Sequence, residues 1–284
     1  NNRQNYTLNL ILHGGEVLLL GPIRLERILS YITSTFKANG IKYFLGCQTN
    51  ATLLNDEMAK ILSSYEVNEG LSFDGLGAAN SARTTVKKNA IESKMELMDR
   101  NNLKYGFLVV ASKTNIDNMA ETRDYIENLK VLQDDDQKTI NGFKVNYAED
   151  MINPGHNSEI EISGHEMFEK VWKVELDRFL EKGILNEAHA KEMMDKTLID
   201  ILTEHNNQTK SGCGTKWCGA GVTMIAVEPD GEMDLCDRYS KTFPENHMMH
   251  ALDNDLFGIQ QMNKVIKYNM MKSEMYKKYG CDIC

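Results

Sequence analysis

The sequence predicts an α/β protein, with a parallel sheet of strand–helix units followed by a small cysteine-rich domain. Three observations predict it. Over the first 150 residues, short apolar runs alternate with longer stretches of helical spacing, the pattern of βα units around a parallel sheet. Polar motifs stand directly after successive apolar runs, at His13–Glu16, Gln48–Asn50 and Ser72–Gly75. Five of the six cysteines fall between Cys213 and Cys284.

Taken in order, residues 8–12 form an apolar run ending in His13-Gly14-Gly15, and 23–36 have helical spacing. Residues 43–47 read as the next strand and 55–63 as a helix capped by Asn55, whose side chain suits an N-cap. A strand at 70–73 ends at Asp74-Gly75, 88–101 is helical, 105–111 is a strong strand, and 119–129 is a helix. One further strand is expected at 142–147, then two amphipathic helices at 167–182 and 187–203 separated by Gly183. The texture then turns to Gly, Cys and short polar stretches, so the domain boundary is expected at 202–208, giving domains 1–204 and 205–284.

Composition narrows the function classes. The net charge is −9 with no cluster of Lys and Arg on one helix face, which disfavours a nucleic-acid substrate held through its phosphates. No apolar run approaches the roughly 18 residues a membrane span needs. The chain is acidic and carries 16 methionines, with no secretory signal in view. A cytoplasmic protein is expected, in which clustered cysteines are metal ligands more often than disulfides.

The loops after the strands carry the candidate chemistry, because in parallel βα sheets ligands bind at the carboxyl ends of strands. Gly14 and Gly15 allow positive φ and close approach of a ligand, and Glu16 offers a carboxylate to a cationic group. The alternative is an ordinary turn with a solvated glutamate. Cys47 is expected to be a buried apolar cysteine, and His13 a rim residue that packs or hydrogen-bonds. In the C-terminal region Cys213 and Cys218 are separated by four residues. Cys218 is followed by twelve residues, Gly231, four more and Cys236, and the chain ends Cys281-Asp282-Ile283-Cys284. Pro229-Asp230-Gly231 is a turn signal between apolar runs at 223–227 and 233–236, a hairpin that brings Cys218 and Cys236 near each other. Such spacings suit iron–sulfur clusters, at about four thiolates each; structural zinc is the competing reading.

These motifs carry a family resemblance. Leu12-His13-Gly14-Gly15-Glu16 resembles the Gly-Gly-Glu motif of radical S-adenosylmethionine enzymes. Cys47-Gln48-Thr49-Asn50-Ala51-Thr52-Leu53-Leu54 and Leu71-Ser72-Phe73-Asp74-Gly75, with Arg83 after it, are similar to stretches of that family's peptide-modifying maturase branch. The cysteine pattern resembles the opening of its C-terminal SPASM domain. The resemblance implies an open, partial (β/α)6 TIM-like barrel with a SPASM/twitch-type iron–sulfur domain. It implies that Gly14, Gly15, Glu16, Gln48, Asn50, Ser72 and Arg83 contact S-adenosyl-L-methionine. By the same resemblance Cys213, Cys218, Cys236, Cys281 and Cys284 belong to one or two auxiliary [4Fe–4S] clusters, and Asp237 is a catalytic base. A turn aspartate that pairs with Arg238 is the other reading of Asp237.

The function so implied is cleavage of S-adenosylmethionine to a 5′-deoxyadenosyl radical, which takes hydrogen from a side chain of a ribosomally made precursor peptide to form a crosslink. Formylglycine formation in sulfatases is the alternative, and a zinc-bound peptide-binding scaffold a third. A flavodoxin- or ferredoxin-type electron donor is the implied partner. The family's Cys-x3-Cys-x2-Cys loop is not in this sequence: thirteen residues precede Gly14, and the second auxiliary ligand set stops short. A fragment of a larger protein is therefore expected.

Overall fold

The computed structural model of the chain describes residues 7–76, 88–132, 139–148, 158–181, 224–234 and 247–250. Contacts divide the chain into two units, Asn1–Lys196 and Thr197–Cys284. In the first, β1 (Thr7–Leu12), β2 (Lys42–Thr49), β3 (Asn68–Ser72), β4 (Tyr105–Ala111) and β5 (Ile140–Tyr147) form one sheet in chain order. All four pairings are parallel. The connections contain α1 (Gly21–Ala38), α2 (Asp56–Ser64), α3 (Lys88–Arg100) and α4 (Met119–Leu132).

Local signals account for the element ends. Pro22 stands in the first turn of α1, where its missing N–H costs no hydrogen bond. Asn55 caps α2 by accepting from the Met58 N–H at 2.9 Å, as its residue type predicts. The expected strand at 43–47 runs on to Thr49, so Gln48 and Thr49 lie in β2 and not in the loop after it. The expected single helix at 167–182 is instead three pieces: α5 (Gly164–Met167), a π-helical turn (Phe168–Trp172) and α6 (Lys173–Glu181). Ser163 and Glu166 close a capping box at its start, a signal that lies upstream of the methionine where helical spacing becomes visible.

Strand alternation sorts the side chains by face. Leu45, Cys47, Leu71, Phe73, Tyr105, Phe107, Val109 and Val145 share one face. They join a single buried core with Leu25 and Leu29 of α1, Met58 and Leu62 of α2, Met95 and Met98 of α3, and Ile126 of α4. The other face carries Ile11, Phe44, Gly46, Gln48, Gly70, Ser72 and Gly106, and its Ile11 and Phe44 are exposed.

Near β5, Arg123 of α4 is buried and bonds Glu127 of the same helix at 2.7 Å. It also pairs with buried Glu175 of α6 at 3.0 Å. In the second unit, β6 (Ala226–Val227), β7 (Glu232–Asp234) and β8 (His247–His250) form an antiparallel sheet in that order. The expected hairpin is present, with Gly231 at φ 91° and its N–H bonded to the Glu228 carbonyl at 2.9 Å. The third strand has no counterpart in the sequence-based expectation. The expected helix at 187–203 and the boundary at 202–208 lie outside the described residues. Among the described residues, no helix is long and apolar enough to cross a membrane.

Removing one partner of a buried ion pair leaves a buried charge uncompensated, at a cost of about 3–5 kcal/mol. Arg123→Ala is therefore expected to lower the chemical-denaturation free energy by about 3 kcal/mol, while Lys60→Ala, in an exposed pair with Asp56, changes it by less than about 1 kcal/mol.

Candidate cofactor-binding edge

The loops after β1, β2 and β3 leave the same edge of the parallel sheet, as the motif placement predicts. Beyond β1, the Gly14 N–H bonds the His13 ring Nδ1 at 2.9 Å, so His13 closes its own turn. Gly14 takes φ 125°, a conformation L side chains rarely adopt, and Gly15 does not need it. A Cβ built on either glycine meets nothing within 4 Å, so the loop faces open space.

Glu16 caps the 3-10 turn Val17–Leu20 by accepting from the Leu18 N–H at 3.1 Å. Its carboxylate also accepts from the Thr49 hydroxyl at 2.6 Å and from the Asn50 N–H at 3.0 Å. A carboxylate has about four acceptor sites, so these three donors leave about one for a ligand. Glu16 thus ties the first loop to the end of β2. The Asn50 side chain does not join it: Oδ1 accepts from the Thr52 N–H at 2.9 Å and hydroxyl at 2.7 Å, closing its own turn. Ala51, at φ 56°, lets that turn form.

Gln48 and Ser72 meet on the open face. Gln48 Nε2 donates to Ser72 Oγ at 2.8 Å. This contact needs glycine at position 70, because a Cβ there would sit 2.1 Å from Gln48 Oε1. Gly106 continues the row on β4, where a Cβ would come within 3.2 Å of the Gly142 carbonyl oxygen. The resulting strip is bare backbone, rimmed by an amide oxygen and a hydroxyl. Of the three polar side chains expected to converge, the structure joins Gln48 to Ser72. It directs Glu16 to Thr49, which stands on the helix-packed parity of β2.

Two further residues belong here that the sequence reading passed over. Asn115, buried after β4, donates from Nδ2 to the carbonyls of Asp74 at 2.8 Å and Val110 at 2.9 Å. With Asp74 Oδ1 accepting from the Val110 N–H at 3.0 Å, it clamps the ends of β3 and β4. A polar residue soon after a strand is the same signal that marked the first three loops. Glu69, on β3, is buried opposite Cys47 in the register, and neither of its carboxyl oxygens meets a hydrogen-bond donor. Burial pushes its pKa up to about 8, with the nearby Glu16 carboxylate adding to the shift and the Cys47 thiol offsetting part of it. Burial likewise pushes the Cys47 thiol up, and Cys47 is a free, buried cysteine as expected.

Arg83, Asp237, Cys213, Cys218, Cys236, Cys281 and Cys284 lie outside the described residues. Among the described residues, no group of three or more His, Cys, Asp or Glu side chains is placed to hold a metal ion.

Two outcomes follow from these contacts. Gly70→Ala displaces Gln48 from Ser72 and costs about 1–3 kcal/mol of stability, the range for forced overpacking, read by denaturation and by the position of Gln48 in a structure of the variant. Glu69 should make stability pH-dependent. Below pH about 4.5 it is protonated in both folded and unfolded chains. Between that value and about 8 only the unfolded chain loses the proton, so stability falls with rising pH by about 1.4 kcal/mol per unit. Glu69→Gln removes this slope, melting higher than the parent at pH about 8 and alike at pH about 4.

The comparisons with known proteins bear on the fold. No family model matches the chain. An uncharacterized protein of Methanocaldococcus jannaschii is 28% identical over 119 residues, covering 40% of this chain and 40% of that protein. Among solved structures, native anSMEcpe with bound AdoMet superposes with a TM-score of 0.74 at 19% identity, over 94% of this chain and 70% of that one. The same protein with bound AdoMet and the Kp18Cys peptide gives 0.74 at 18%, over 95% and 71%. Streptococcus suis SuiB bound to S-adenosylmethionine gives 0.55 at 16%, over 88% of this chain and 53% of that one. The chain shares the α/β fold of these S-adenosylmethionine-bound proteins.

Proposed function

We propose that this chain is the sheet-and-helix body of a radical S-adenosylmethionine maturase that acts on a peptide side chain. The single observation that carries the reading is the edge where the Gly14-Gly15 loop, the end of β2 and the end of β3 meet. It belongs to a fold superposable on AdoMet-bound anSMEcpe over 94% of the chain. The residues fit such a cofactor. The open space beside Gly14 and Gly15 admits it against the backbone, and Glu16 supplies fixed negative charge beside that backbone for a methionyl ammonium. Gln48 Oε1 and the Ser72 hydroxyl offer one acceptor and one donor on the bare strip. A bound [4Fe–4S] cluster would supply the electron that splits the cofactor. The protein's own residues bind and orient: the Glu16 lock holds the first loop against β2, and the Asn115 clamp holds the ends of β3 and β4.

A peptide substrate is supported by two of the superposed proteins, one solved with the Kp18Cys peptide and SuiB with the precursor peptide SuiA. The finer reading is crosslink formation in a precursor peptide. Formylglycine formation in a sulfatase is the second reading, favoured by the higher superposition on anSMEcpe. In this reading Arg83 contributes to the cofactor site, Asp237 is the base, and the five C-terminal cysteines ligate auxiliary clusters.

The test uses full-length protein, reconstituted anaerobically and given dithionite and S-adenosylmethionine. The expected result is 5′-deoxyadenosine by liquid chromatography; its absence overturns the class. Removing one hydrogen bond to a charged ligand costs about 1.5 kcal/mol or more, so Ser72→Ala should weaken S-adenosylmethionine binding about tenfold by calorimetry, with an unchanged melting curve.

A further inference from the structure

The outward face of α1 carries an apolar stripe that the fold does not use. Leu25, Leu29 and Thr33 are the buried side of this helix. About half a turn away stand Ile23 and Tyr31, 81% and 72% exposed, with Arg27 between them at four-residue spacing. Leu19, 73% exposed, sits one turn earlier in the 3-10 turn. Residues on a helix four apart are neighbours, so the four make a continuous row of about 18 Å at 1.5 Å per residue. Arg24 is exposed alongside, and neither Arg24 nor Arg27 forms an ion pair among the described residues. Glu26 is the one acidic residue of α1, against Arg24, Arg27 and Lys37. A basic, apolar-centred stripe on a chain of net charge −9 is a local inversion of sign.

We infer that this stripe docks a small acidic protein that donates electrons one at a time. The inference rests on the proposed function and extends it to the partner. Charge decides the sign of the partner: unpaired arginines around an apolar centre attract an acidic surface and speed the encounter. The same arginines would face each other in a two-fold contact between copies, so a second copy is disfavoured. Size decides the kind of contact, because a row this short gives an interface at the low end, where transient electron-transfer encounters lie. Position decides the role. Leu19 and Ile23 follow Glu16 by three and seven residues, so a donor seated there lies beside the loop assigned to the cofactor. One electron leaves the reduced donor and is taken up at that edge, and nothing else is transferred.

The experiment uses full-length reconstituted protein with two reductants: an acidic flavodoxin in its reduced form as the docking probe, and dithionite, which needs no docking surface. Arg27→Glu and Ile23→Asp are each expected to cut flavodoxin-driven 5′-deoxyadenosine formation by about fivefold or more while leaving the dithionite-driven rate unchanged. Raising salt from about 0.05 M to about 0.3 M should slow the parent's flavodoxin-driven rate and barely affect that of Arg27→Glu. Equal loss with both reductants overturns the inference, as does no loss with either. A change of sedimentation state in Ile23→Asp also overturns it, by assigning the stripe to a second copy. If the parent makes no 5′-deoxyadenosine even with dithionite, the proposed function fails first and takes this inference with it.

Discussion

Strand order equal to chain order is the constraint from which the rest of the first unit follows. Each parallel crossover is right-handed by the general preference of such connections. A sheet wound steadily in one direction therefore receives all its helices on one face. That face holds the core, from Leu25 to Ile126. The other face is left without helical cover and becomes available to a ligand, while the loops after β1, β2 and β3 gather at one edge.

An uncovered face needs a chemistry of its own, and here much of it is glycine. Gly46, Gly70 and Gly106 thin the sheet where a side chain would collide with Ile11, Gln48 or the Gly142 backbone. Without side chains the strip is flat, and the polar groups that remain are held by one another. The price appears on the opposite face, where Glu69 sits in the core without a donor. It lies beneath the same strand end that Glu16 fixes. The two carboxylates act on each other, so the site's electrostatics and the stability of the fold are coupled through β3.

Much of this was legible in the sequence because the apolar runs and their terminal polar residues are short-range signals. The strand 105–111 and the Asn55 cap could be read almost to the residue. What was missed has a physical cause. Reading β2 as ending at Cys47 discarded its alternation, and alternation is what sends Gln48 and Thr49 to opposite faces; hence Thr49, and not Asn50, supplies the side chain that meets Glu16. Starting β3 at Gly70 cut Glu69 out of the strand in the same way. Strand β8 has four residues and no turn pair beside it, so its pairing depends on tertiary contacts that local pattern does not encode.

The π-helical turn at Phe168–Trp172 carries a consequence for chain length. A π turn holds one residue more than the α-helix around it. Deleting a single residue there would restore regular winding and rotate everything after it by about 100°. Glu175 would swing away from Arg123, and a buried cation would lose a counter-ion. The segment is therefore intolerant of a one-residue deletion even though Lys170 and Lys173 within and beside it face solvent. Its spacing, more than its composition, is what natural variation has to preserve.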